Sequence, residues 1–236
     1  MSLRWRAVDL DGARPDGAVV VIDVLRAFTF EAWAFARGAA RILAVDEPAR
    51  ALHVARTLLP GSLAAGDRGG RPLDGFDLGN SPLALDALQL DRRTVVHRTS
   101  AGTQGLARTA GSEMVLAASF VTAGATARLL RERGIEDVTF VVTGDSLGRD
   151  GDEDLACAEL IAARASGDDP DPAPFLARVA PSDAGRMFGP DGPDWAPPED
   201  LALACEVDRF DFALLAGPAV GIDGPGVVEV QRLTPA

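Results

Sequence analysis

Strand-like and helix-like segments alternate along most of this chain, which predicts an α/β fold: a mostly parallel sheet with helices on both faces, in three αβα layers. Three observations carry that expectation. Residues 19–23 (Val-Val-Val-Ile-Asp) form a continuous apolar run ending in Asp23, the pattern of a strand buried on both faces rather than of an alternating edge strand. Helical patterns follow such runs and stop at glycines, as at Gly38 and Gly134. The segments between them are rich in Gly, Pro, Asp and Ser, the chemistry of turns.

Taken in order, the strand at 19–23 turns through residues 24–29 into a helix over 30–36. A strand at 41–45 precedes a helix over 48–59, with Pro48 in the first turn, where a missing N–H costs nothing. A strand at 62–65 delivers a loop, 66–82, holding five glycines and two prolines, and a short helix follows it. The strand at 94–98 leads through Thr99-Ser100-Ala101-Gly102-Thr103 into a helix ending at Ala110. A strand at 113–117, Ser119, and a helix to Arg133 come next, followed by a strand at 138–143 and a helix over 152–165 with acids in its first turn. A helix near 199–204 and strands near 212–215 and 227–233 complete the sheet. Residues 1–236 read as one α/β unit; the alternative is two similar lobes divided near 110–135 with a site in the cleft. The Pro/Gly/Asp-rich stretch 167–198 reads as a surface excursion serving as a lid, because such a composition buries little.

A formal charge of −12 and a pI near 4.6 argue against nucleic acid or an anionic membrane as partner, since the summed field repels polyphosphate. Two isolated cysteines make neither a disulfide framework nor a zinc cluster. With no apolar leader at 1–6 and no uninterrupted apolar run of membrane length, a soluble, cytoplasmic protein is expected. Of the two histidines, His53 falls on a helical pattern, and His97, in a strand beside the candidate loops, is a candidate base. Trp33 and Phe35 offer either a homodimer face or core packing.

In an open α/β sheet, ligands gather where loops leave the carboxyl ends of strands. Residues 23–29, 66–82, 99–103 and Ser119 all occupy such positions. Asp23, Asp67 and Asp154, each at a strand end or helix start, suit a hard cation such as Mg²⁺, which takes a few carboxylates together with water and phosphate; acidic helix caps are the competing reading. Arg26 and Arg68 are candidate forks for a tetrahedral anion. Thr99, Ser100, Gly102 and Thr103 suit an anion cradle at a helix N-terminus, or a simple Ser/Thr cap. No dinucleotide, Walker or nucleophile-elbow pattern is present, and Leu25 stands where an aspartyl phosphatase would place its second Asp.

Together, Ile22-Asp23-Val24-Leu25-Arg26-Ala27, Gly66-Asp67-Arg68-Gly69-Gly70, Gly75-Phe76-Asp77-Leu78-Gly79-Asn80-Ser81-Pro82, Thr99-Ser100-Ala101-Gly102-Thr103, Ala118-Ser119-Phe120 and Glu153-Asp154 resemble the 2-phosphosulfolactate phosphatase family of the coenzyme M pathway. The resemblance implies an α/β phosphoric monoester hydrolase that uses Mg²⁺ on a small phosphorylated hydroxy acid. It implies Asp23, Asp67 and Asp154 as magnesium ligands and catalytic residues together with Arg26 and Arg68. Thr29, Asn80, Ser81, Thr99, Ser100, Gly102, Thr103 and Ser119 would then hold substrate. The chain departs from the family pattern at Asp67 (Glu), Ala101 (Asn), Phe28 (Thr) and near Thr122 (Asn). Two alternatives stand beside this reading: a phosphatase for a different phosphorylated acid, and an anion-binding homologue without turnover.

Overall fold

The computed structural model describes residues 3–145, 148–222 and 224–236. The chain enters as an exposed strand β1 (Arg4–Asp9), then β2 (Ala18–Ile22), α1 (Ala27–Ala36) and β3 (Arg41–Val45). Helix α2 (Pro48–His53) continues in a wider turn over Val54–Leu58. Strand β4 (Leu63–Arg68) hairpins into the two-residue β5 (Arg71–Pro72), and β6 (Thr94–Arg98) follows. Next come α3 (Gly102–Thr109), β7 (Met114–Ala118), α4 (Ala123–Glu132) and β8 (Asp137–Val142). The chain closes with α5 (Asp152–Ser166), α6 (Ala173–Leu176), α7 (Pro198–Ala204), β9 (Ala213–Pro218) and β10 (Val227–Leu233).

Among the described residues the strands form one sheet in the order β1-β8-β2-β7-β9-β10-β3-β6-β4-β5. The apolar run of β2 explains its central place. Val19 and Val21 pack into the cluster on the α1 and α3 side, while Val20 and Ile22 pack into the cluster under α4 and α5. Alternate residues of β3 divide in the same way, with Leu43 and Val45 meeting α2. Helices therefore cover both faces of an α/β sheet, as the alternation predicts. Strand β1 escapes prediction because Arg4, Arg6 and Asp9 interrupt any apolar run and the strand is largely exposed; its ordering comes from backbone pairing with β8. Trp33 and Phe35 belong to the core, edge-on to Phe210 and Phe212 at ring distances of 5.2 and 6.3 Å.

The sheet differs from a simple parallel one in a way that matters for the site. The β1-β8-β2-β7 set is parallel, and so is β3-β6-β4. Three successive antiparallel steps through β9 and β10 join them, so the two sets run in opposite directions. In a flat sheet their carboxyl ends would stand at opposite edges. Instead the N–H of Gly102, just past β6, donates to Asp23, just past β2, at 2.9 Å. Strand twist of about 20–25° per step, accumulated over the five steps from β2 to β6, swings the two edges together.

Candidate active site

A pocket opens where those ends converge. Its walls come from Asp23, Leu25 and Arg26 after β2, Asp67 and Gly70 around the β4–β5 turn, and Asn80 from the long loop. Thr99, Ser100 and Ala101 after β6, and Thr143 and Gly144 after β8, continue the wall; Arg149, Glu153 and Asp154 close it beside α5. Met187, Phe188 and Trp195, from the proline- and glycine-rich excursion, lie over the pocket.

Asp23 caps its own turn and the facing one: Oδ1 accepts from Ala27 N–H at 3.0 Å and Oδ2 from Gly102 N–H. A Cβ on Gly102 would stand 2.7 Å from that Oδ2, so the close approach requires glycine. Burial raises the Asp23 carboxyl to about 6, with the charge of Asp67 adding to the rise; the two N–H bonds and Arg149 oppose it. Asp67 accepts from Gly70 N–H at 2.9 Å and from the Asn80 amide at 3.0 Å. Asp154 binds Val24 N–H and Gly144 N–H, both at 2.7 Å, and so clamps the loops after β2 and β8. Burial, then the charges of Glu153 and Asp23, hold its carboxyl well above the ordinary carboxylate range. Glu153 is raised as well, chiefly by burial, and its buried Oε2 has no hydrogen-bond partner.

The structure separates the expected residues into three groups. Asp23, Arg26, Asp67, Asn80, Thr99, Ser100 and Asp154 line the pocket, and Gly102 reaches it through its N–H. Thr29, Thr103 and Ser119 are buried away from it: the Thr29 hydroxyl donates to Val24 C=O, and Thr103 and Thr99 exchange bonds within the turn. The Thr103 hydroxyl thus serves the turn ahead of α3, accepting from Thr99 N–H and donating to Thr99 C=O. Ser81 donates to Asp200 rather than entering the pocket, and Arg68 is exposed at the end of β4. The candidate base His97 lies fully buried behind Asn80, out of reach of a ligand in the pocket.

Arg26 also has a different setting from the free fork its sequence suggests. Its guanidinium donates to Asp200 at 2.6 Å, to Trp195 C=O at 2.8 Å and to Gly70 C=O at 3.1 Å, and lies 5.2 and 5.9 Å from the ring centres of Phe188 and Trp195. It fastens the excursion to the pocket rim. Gly70 completes the fit: φ is +89°, and a Cβ there would come within 2.4 Å of the Trp195 ring. Sequence reasoning missed Glu153, Arg149, Trp195 and Asp200. Glu153 carried a signal, as Asp154's neighbour in an acidic first turn, and Arg149 stands four residues before it in a loop without a pattern of its own; Trp195 and Asp200 lie far from the motifs and reach the site only through folding.

Among the described residues no three His, Cys, Asp or Glu side chains stand close enough to cage a metal ion, so Asp23, Asp67 and Asp154 do not form a closed three-ligand site. The donor set still fits Mg²⁺, which needs only one or two carboxylates beside water and phosphate. Asp23 and Glu153 both line the pocket, both are raised by burial, and one Glu153 oxygen has no protein partner.

Comparison with known proteins gives a consistent result. The chain is 39% identical over 152 residues to a protein of Synechococcus sp. (strain RCC307), covering 64% of this chain and 62% of that one. It is 40% identical over 158 residues to a Deinococcus radiodurans protein, covering 66% and 65%. Over 151 residues it is 32% identical to a Caldicellulosiruptor saccharolyticus protein, covering 63% and 62%. Each relative is named probable 2-phosphosulfolactate phosphatase, and the match spans less than two thirds of its length. A family model described as 2-phosphosulpholactate phosphatase matches residues 6–187, a span that runs from β1 through every pocket-lining residue up to Met187. By that match the chain belongs to the 2-phosphosulpholactate phosphatase family.

Proposed function

We propose that this protein hydrolyses a small phosphorylated hydroxy acid of the 2-phosphosulfolactate kind to the hydroxy acid and inorganic phosphate, with Mg²⁺ as cofactor. The observation that carries the reading is the convergence of Asp23, Asp67, Glu153 and Asp154 with Arg149 in one pocket beneath an aromatic cover. The names borne by the relatives support the substrate class.

Asp23 and Glu153 would hold the cation, which when bound neutralises phosphate charge and lowers the pKa of a coordinated water. Arg149 supplies the positive charge on the protein side of the phosphoryl group; its field already opposes the rise that burial imposes on Asp23 and Glu153. Ser100 and the turn ahead of α3 orient the anionic end of the substrate. Trp195, Phe188 and Met187 exclude bulk water, which strengthens each of these interactions. Asp154 clamps the loops that carry Asp23 and Thr143 and so keeps the geometry.

Phosphate release from a panel of phosphorylated hydroxy acids, with and without Mg²⁺, tests the reading. Release that depends on Mg²⁺ and is greatest for a carboxylate- and sulfonate-bearing ester is the expected outcome. Binding of those acids without release of phosphate from any of them would leave an anion-binding protein in its place.

A further inference from the structure

Behind the pocket wall a buried line of polar side chains runs from α1 to Asp67. His97, next to the carboxyl end of β6, has Nδ1 2.8 Å from Glu31 Oε1 and Nε2 3.0 Å from Asn80 Oδ1. The Asn80 amide nitrogen in turn donates to Asp67 Oδ2 at 3.0 Å. Glu31 and His97 have no exposed surface, and the His97 ring lies against Phe30 with centres 4.9 Å apart. Apart from Thr29, Glu31 is the one polar side chain of an otherwise apolar α1, a placement that packing alone does not ask for.

The donors and acceptors of this line order themselves. A carboxylate only accepts hydrogen bonds, so Asp67 requires the nitrogen of the Asn80 amide, which turns the amide oxygen toward His97. His97 Nε2 must therefore carry a hydrogen. A single proton then lies between Nδ1 and Glu31, on one atom or the other.

We propose that His97 is a positioning residue of the active site: its Nε2–H fixes the Asn80 amide, which fixes the Asp67 carboxylate, while Glu31 holds the imidazole ring. The inference rests on the functional reading of the pocket that Asp67 and Asn80 line. Partners one step removed from a site residue set its orientation, and losing one costs about 10–100-fold in affinity or activity.

The unmodified protein supplies the first test. It has two histidines, so long-range ¹H–¹⁵N spectra resolve His97 from the exposed His53. A slowly exchanging Nε2–H at His97 is expected; a bare Nε2 with hydrogen only on Nδ1 overturns the proposal. The second test compares His97→Leu with His97→Gln, whose amide keeps a donor for Asn80. The Leu variant should lose about tenfold or more in kcat with little change in KM, and the Gln variant should recover most of it. A folded Leu variant with the parent kcat, or a Gln variant as slow as Leu, refutes positioning. If the parent releases no phosphate from any acid tested, the functional reading fails, and the spectra still decide whether the line is ordered as described.

Discussion

Asp23 makes stability and site chemistry compete, and the competition is measurable. Its carboxyl rises from the ordinary 3.8 to about 6, mainly because burial disfavours the charged form. A rise of that size, at about 1.4 kcal/mol for each tenfold change in the proton equilibrium, corresponds to about 3 kcal/mol. The sign follows from proton linkage. Well below pH 3.8 folded and unfolded chains both hold the proton, and the full contribution is present; between 3.8 and about 6 the folded chain keeps a proton that the unfolded chain has released. Stability therefore falls as pH rises through this window and levels off above it.

Asp23→Asn removes the titration. The variant also loses a good acceptor for either Ala27 N–H or Gly102 N–H, a cost that does not vary with pH. Urea unfolding of both proteins, in EDTA and from pH 4 to 8, isolates the effect in the difference between them. The parent should lose about 2.4 kcal/mol relative to the variant across that range, the rest of the change lying below pH 4. A difference that stays flat would show that Asp23 is an ordinary carboxylate, and one that grows in favour of the parent as pH rises would show that the two N–H donors outweigh burial.

Two other perturbations address the cover. Asp200→Ala leaves the Arg26 guanidinium buried without its ion partner; removing one member of a buried pair costs about 3–5 kcal/mol, read by urea unfolding at neutral pH. Gly70→Ala forces a side chain onto a backbone at φ +89° and into the Trp195 ring, so it should raise KM and increase Trp195 exposure to an aqueous quencher, and unchanged values of both would show that the cover does not seat there.

Much of the architecture was legible because the local signals and the global fold agree. The apolar run of β2, the β-branched β6 and the glycine stops after α1 and α4 each satisfy one simple physical need, so most elements fall within a residue or two of where periodicity places them. Strand β1 did not announce itself, since an exposed edge strand has no apolar face to display. Of the site, the acids at strand ends and the glycine-rich turn could be read in advance because their residue types serve no packing purpose. The roles of Thr103, Ser81 and Arg26 could not, because a hydroxyl or a guanidinium binds a ligand or a neighbouring group with the same donors.

From the chain of residues alone came the alternation of elements, the acids poised at their ends and the membership of loops in one functional set. Only folding decided that two oppositely running strand sets would meet, since that depends on three antiparallel steps and on the twist accumulated between them. Folding likewise took Arg26 for the cover and set His97 behind Asn80. Such partners come from elements as far apart in sequence as α1 and α7, and proximity of that kind arises from packing rather than from any local pattern.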